Sequence, residues 1–343
     1  MSSSISISKF PLSRPQIQPS IVNRLLKRGR WLIWFFSGMV LFFIFGIALV
    51  LICVDGNTIL RYKRDMLEYK LDRLRETNRP PHLIIMSGSN GLYSVNSKVL
   101  SEEIKMPVTN MAVHWGIALY TAERISEWVK PGDIVLMPLE YTFYTEVGQS
   151  MSWEEACYKL AHDRASIHSL KEWGGVLMGC KPKMLLGGIG LKTLSKLGFQ
   201  YPQYDMKRVL TSEGDILENR LPLEKFLSQE NVNLSTQMHE TDIRTHYVRL
   251  EEKIQAIKAA GAKVLLTFPV HFKTPPNMPL VSPQWLAKIK RWAAEQGIEV
   301  ISSPDQHQFP SNCFFDNYYH LHQGCTGENS KRYAHALKEY LEK

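Results

Sequence analysis

His82-Leu83-Ile84-Ile85-Met86-Ser87-Gly88-Ser89-Asn90 is the stretch that decides how this chain folds. Residues 83–86 are a short run of large apolar side chains, as expected of a strand buried on both faces. Gly88 permits a tight turn, and the chain then heads for a helix. Such a unit opens a parallel α/β sheet. It would leave Ser89 at the carboxyl edge of the sheet, where open α/β folds bind ligands and free backbone N–H groups can stabilise an oxyanion.

A second stretch, Phe315-Asp316-Asn317-Tyr318-Tyr319-His320-Leu321, sets a carboxylate and an imidazole four residues apart. A serine on a strand-to-helix turn, met by a late Asp/His pair, is the raw material of acyl transfer. Ser89 would be the nucleophile, His320 the base, and Asp316 the group that holds its tautomer. Taken singly, each stretch has a plainer reading, as a turn-forming serine or an aromatic loop that packs and hydrogen-bonds. His322 is a rival base, but it lacks a carboxylate at the same offset.

Working outward, strands and helices alternate. Strands are expected at 83–86, 108–113, 134–139, 263–268 and 299–301, and helices at 94–104, 118–129, 247–260, 283–296 and 328–342. This alternation predicts an α/β domain with a five-stranded parallel sheet covered on both faces. Residues 146–240 break the rhythm and read as an insertion, either a lid or substrate-binding region or a structural extension. Residues 57–78 carry Leu60, Leu67, Leu71 and Leu74 at helical spacing and read as a stalk helix, ended by Arg79-Pro80-Pro81. The domain is therefore expected over 82–343, with a stalk and linker over 54–81.

Residues 31–53 contain no charged side chain and are long enough to span a bilayer. A cleaved signal sequence would have a shorter apolar region and small residues after it, unlike Leu51-Ile52-Cys53-Val54. Residues 1–30 carry Lys9, Arg14, Arg24, Lys27, Arg28 and Arg30 and no acid, which favours a cytoplasmic N-terminus. The domain beyond the span is then expected outside the cytoplasm. Those six bases account for most of the formal net charge of +8, so the basic balance reports the membrane flank rather than nucleic-acid binding. Cys157, Cys180, Cys313 and Cys325 follow the span; they allow a bridge across the Asp316/His320 loop or buried thiols. No Cys-x-x-Cys or His-rich spacing points to zinc, and no metal or cofactor is expected.

At these residues the chain resembles the SGNH/GDSL hydrolase superfamily. Within it, the chain is similar to membrane-anchored proteins that act in O-acetylation of exported polysaccharides such as alginate and cellulose. The resemblance rests on IIMSGSNGLYSVNSKVL at 84–100, VTNMAVHWGIALY at 108–120, KPGDIVLMPLEYTFY at 130–144 and FFDNYYHLHQGCTGENSKRYAHAL at 314–337. It implies a three-layer α/β/α fold with flavodoxin-like strand order, and Ser89, His320 and Asp316 as the catalytic set. It also implies Gly116 as a backbone oxyanion donor, with Trp115 a competing alignment. The family's oxyanion asparagine is not found after the third strand, where Glu140 and Tyr141 stand instead; Asn90 and Asn110 are possible substitutes. His114 is expected near the substrate, as are the aromatic residues Trp115, Tyr141, Phe143 and Tyr144. The expected protein is an inner-membrane, single-pass, serine-dependent esterase or O-acyltransferase acting on a polysaccharide. A membrane-bound O-acyltransferase or polysaccharide synthase complex is the implied partner. The alternative is a non-catalytic glycan-binding or scaffold subunit.

Overall fold

The computed structural model describes residues 19–54, 58–77, 79–145, 150–179, 205–217, 247–273, 281–314 and 316–343. The chain divides into two compact units, residues 1–52 and 53–343. The first is built on α1 (Pro19–Val54). Its window Gly29–Gly46 has a mean hydropathy of 1.6 and is not buried in the protein. Trp31, Trp34, Phe35, Phe42 and Phe45 all stand exposed there. Such a surface is unfavourable in water and suits a hydrocarbon core. Among the described residues, this is the one helix long and apolar enough to cross a membrane. Residues 1–18 of the basic arm lie outside the described residues.

The second unit is α/β. In chain order its strands are β1 (Leu83–Ile85), β2 (Val108–Asn110), β3 (Ile134–Pro138), β4 (Lys263–Thr267), β5 (His271–Phe272), β6 (Glu299–Val300) and β7 (Gln308–Phe309). Five of them form one parallel sheet in the order β2-β1-β3-β4-β6, and β5 pairs with β7 in a separate parallel ribbon. Alternate residues serve opposite faces, as strand geometry requires. Ile84, Val135 and Leu266 join one core; Leu83, Ile85, Leu136 and Leu265 join the other.

The helices are α2 (Thr58–Glu76), α3 (Ser89–Ser94), α4 (Ser97–Ile104), α5 (Trp115–Ser126), α6 (Trp153–His162), α7 (Leu170–Gly179), α8 (Met206–Val209), α9 (Val248–Ala259), α10 (Pro283–Glu295) and α11 (Gln323–Leu341). Helices α2, α5, α9 and α10 cover the first face through residues such as Leu71, Ile117, Ile254 and Trp292. Helices α4 and α11 cover the second through Leu100, Tyr333 and Leu337. The single helix expected over 94–104 is broken at Val95–Asn96, because the Asn96 side chain accepts from Val99 N and caps a new helix. Helix α11 starts earlier than expected, at Gln323, where the His322 side chain accepts from Gly324 N.

One segment lies differently from the sequence expectation, and part of another follows its reading as a structural extension. The residues read as a stalk form α2, which packs into the domain: Leu60, Leu67, Leu71 and Leu74 are all buried. The same helix buries Lys70, whose Nζ donates to Asn110 O (2.9 Å) and Ala112 O (2.6 Å). Burial pushes the Lys70 ammonium down to about 7, with the nearby Asp215 opposing. The second is part of the expected insertion. Residues 146–149, 180–204 and 218–240 lie outside the described residues, but 205–217 return to the domain. There, buried Asp215 accepts from Ser97 N (2.6 Å), Ser97 Oγ (2.6 Å) and Asn110 Nδ2 (2.9 Å).

Candidate active site

The carboxyl edge of the sheet carries a cavity of about 300 Å³. Ser89, His114, Trp115, Glu140, Asn317 and His320 are among its lining residues. Ser89 reaches it because β1 ends at Ile85 and α3 begins at Ser89 itself. The turn between them is pinned from β3: Ser87 Oγ donates to Pro138 O (2.6 Å), and Asn90 Nδ2 donates to the same carbonyl (3.1 Å). Ser89 Oγ makes no hydrogen bond among the described residues, to His320 or to any other group.

His320 arrives from the loop before α11. Its Nδ1 lies 2.6 Å from Asp316 Oδ1, so Asp316 sets the tautomer and turns Nε2 away from itself. Asp316 is 42% exposed and His320 is buried, so this carboxylate orients the ring from the solvent side. The Asn317 amide nitrogen lies 2.9 Å from Nδ1 and 3.3 Å from Nε2, which places it beside the ring rather than along one lone pair. Tyr93 stacks on the imidazole at 4.3 Å between ring centroids. The loop itself is closed by a Cys313–Cys325 disulfide and by the Phe314–Leu321 bridge. Cys157 is buried, and Cys180 lies outside the described residues.

Glu140 occupies the position where the resemblance leads one to look for an asparagine. It is buried, and its carboxylate accepts from Gly88 N (3.1 Å) and Asn90 N (2.8 Å). Gly88 must be a glycine for this, since a Cβ there would collide with the Glu140 carboxylate. Burial pushes the Glu140 carboxyl up, and the Asn90 and Gly88 N–H groups and His320 oppose that rise. Two of the amides flanking Ser89 are thereby committed. The backbone N–H groups of Ser89 and Gly116 have no protein acceptor among the described residues.

His114 faces the cavity from the N-cap of α5. Its Nδ1 lies 3.0 Å from Glu154 Oε2, and Glu154 Oε1 lies 2.6 Å from Lys63 Nζ. Glu154 is set in the first turn of α6, which Ser152 caps by accepting from Glu155 N while donating to Gly116 O. Burial resists ionisation of Glu154, but His114 and Lys63 together hold its carboxyl below its ordinary range. A Cβ on Gly116 would collide with this carboxylate.

The other expected site residues are placed away from the cavity. Asn90 and Asn110 are fully buried. Asn90 Oδ1 accepts from Val270 N, and Asn110 Oδ1 accepts from Ala112 N while its amide donates to Gly91 O and Asp215. Neither side chain is left to serve an oxyanion. Tyr141 sits in an aromatic core with Trp285 at 5.2 Å and Phe268 at 6.4 Å; Phe143 and Tyr144 are buried as well. Trp115 alone of the four expected aromatics lines the cavity, joined there by Tyr318, which the sequence reading did not single out. Lys63, Glu154, Tyr93 and Asn317 were also missed; Asn317 and Tyr93 stand close to residues already chosen, whereas Lys63 and Glu154 carried no local signal. Among the described residues, Cys313, His322 and Cys325 are the one His/Cys/acid group with metal-ligand spacing. Their two sulfurs are joined in the disulfide, which removes both thiolates as ligands. No family model matches the chain, and no curated protein matches it.

Proposed function

We propose that this protein is a membrane-anchored, serine-dependent acyl esterase or O-acyltransferase of SGNH-hydrolase-like fold, acting on an exported polysaccharide. The observation that carries the reading is one cavity lined by both Ser89 and a histidine whose Nδ1 is held by a carboxylate at 2.6 Å. The strand order β2-β1-β3-β4-β6 and the helices on both faces support the three-layer, flavodoxin-like part of it.

In this reading Ser89 Oγ attacks the acyl carbonyl while its proton passes to His320 Nε2. The leaving alcohol takes that proton as the carbonyl re-forms. Water or a hydroxyl of the polymer then accepts the acyl group, with the same histidine handling the proton. The backbone N–H groups of Ser89 and Gly116 are the oxyanion donors. Trp115 and Tyr318 offer apolar ring faces suited to sugar rings. One apolar helix supports a single-pass anchor, and the Cys313–Cys325 disulfide supports a domain outside the cytoplasm. With the basic arm cytoplasmic, the membrane is the inner (plasma) membrane, and a polysaccharide synthase complex or membrane-bound O-acyltransferase is the partner class.

The test is labelling of the full-length protein in detergent with a serine-reactive fluorophosphonate. Wild type labels and Ser89→Ala does not; equal labelling of the two rejects Ser89 as nucleophile. Mass spectrometry of the polymer, made with and without Ser89, then reads the acyl group. A second reading is a glycan-binding scaffold with a degenerate site. It is favoured by the Glu140 carboxylate on the amides of Gly88 and Asn90 and by the lack of a Ser89–His320 hydrogen bond. A wild type that binds sugar but takes no label, with binding unchanged in Ser89→Ala, would select it.

A further inference from the structure

The cavity holds two imidazoles of the same design. His320 gives Nδ1 to Asp316, and His114 gives Nδ1 to Glu154. A serine mechanism needs one such pair. The second is built at some cost. Lys63 and Glu154 are both taken largely out of water, and a buried ion pair is poor evidence of stabilisation because desolvation offsets its attraction. Glycine is required at position 116 to admit the Glu154 carboxylate, and the α6 cap ties Ser152 to the same residue. Three segments distant in sequence thus converge to hold one ring. That ring is 44% exposed, at the cavity it lines together with Ser89. Its position is across β1 from the β3 loop: β2, which leads into His114, flanks β1 on one side, and β3, which leads into Glu140, flanks it on the other.

We infer that His114 is the acceptor-side specificity residue of this cavity. With Nδ1 turned to Glu154, its Nε2 hydrogen-bonds a hydroxyl adjacent to the one that receives the acyl group. Glu154 is the positioning residue, and Lys63 holds Glu154. The inference rests on the proposed acylation of Ser89. In the transfer step the reacting acceptor O–H breaks, its oxygen bonds to the acyl carbon, and the bond from that carbon to Ser89 Oγ breaks. His320 takes the acceptor proton and returns it to Ser89 Oγ. His114 exchanges no proton; it recognises the neighbouring hydroxyl, so acceptors that carry one are preferred over simple alcohols.

The experiment uses the full chain in detergent with p-nitrophenyl acetate as donor and two acceptors, methyl β-glucoside and methanol. Intact-protein mass spectrometry follows acetylation of Ser89, and product analysis follows transfer. The wild type is expected to prefer the glucoside. His114→Ala should lower the glucoside-to-methanol transfer ratio about tenfold, the value of one neutral hydrogen bond. Glu154→Gln should lower it less, and His114→Gln should restore part of it. Loss of transfer to both acceptors in equal measure means a merely structural role and overturns the inference. So does an unchanged ratio, or a wild type that only hydrolyses its acyl-enzyme. Absence of Ser89 acetylation in the wild type overturns the parent reading as well, and this readout separates the two failures.

Discussion

The Asp215 network beside β2 and the cavity at the carboxyl edge of the sheet use similar residues in opposite ways. Asp215 accepts from Ser97 and Asn110, Asn110 is fully committed, and Lys70 lies between two carbonyls with Asp215 near it. At the cavity, Ser89 Oγ has no partner among the described residues, and each histidine has its Nδ1 held by a carboxylate. A fully satisfied buried network specifies packing, while polar atoms left open at a cavity are available to a ligand. The distinction separates Asn90 and Asn110 from Ser89 and His114, although all four lie at or just past strand ends on the same sheet edge.

The contrast can be broken most forcefully from the interior. Asp215→Ala leaves Ser97 and Asn110 donors unmet and Lys70 without its nearby carboxylate. The expected cost is about 3 kcal/mol, read from urea unfolding, as for buried donors stripped of their acceptor. A cost under about 1 kcal/mol would show that water replaces the carboxylate and that the network is not the brace described.

Next comes the loop that carries Asp316 and His320. Replacing Cys313 and Cys325 by serine opens a short covalent ring and should cost about 2–3 kcal/mol of stability. Labelling of Ser89 should fall with it. Lost stability with unchanged labelling would mean that the bridge braces the fold and not the histidine.

Acid should probe the interior through two buried histidines. His82, bonded to Thr109, is pushed down to about 4 by burial, and His307, bonded to Asn329, to about 3 by the same cause. The unfolded chain binds these protons near 6.5, so between about 6.5 and 4 the unfolded state holds more protons than the folded one. Stability therefore falls as pH drops through that window. His307→Gln should flatten the fall in pH-dependent unfolding curves, and an unaltered slope would shift the blame to other groups.

The smallest stability effect is expected at the proposed nucleophile. Ser89→Ala removes a hydroxyl with no protein partner and should change stability by less than about 0.5 kcal/mol while abolishing fluorophosphonate labelling. A loss of several kcal/mol would transfer Ser89 to the structural side of the comparison.

The sheet was legible because its strands are short aliphatic runs set off by turns: residues 83–86 and 134–139 announce themselves without context. Ser89, Asp316 and His320 were legible because a strand-to-helix serine and a nearby Asp/His pair are local patterns. The Lys63–Glu154–His114 chain was not, since its members come from α2, α6 and the cap of α5, and an ion pair between distant segments leaves no periodicity. Asn90 and Asn110 were misplaced for a related reason. Their position at or just past a strand end is visible in sequence, but the groups that engage their amides are not. The stripe of Leu60, Leu67, Leu71 and Leu74 said that α2 packs against something, and only the fold says that the partner is the domain itself.

That last point sets where the soluble half of this protein can be cut. A fragment begun at His82, where the first strand segment starts, would leave the surface under α2 bare and would delete both Lys70 and Lys63. It would lose the buried Lys70 amine beside β2 and the anchor of Glu154 at once, together with part of the cover on one face of the sheet. The shortest piece expected to stand alone begins ahead of Thr58, so the autonomous part of the molecule reaches nearly back to the end of its apolar helix.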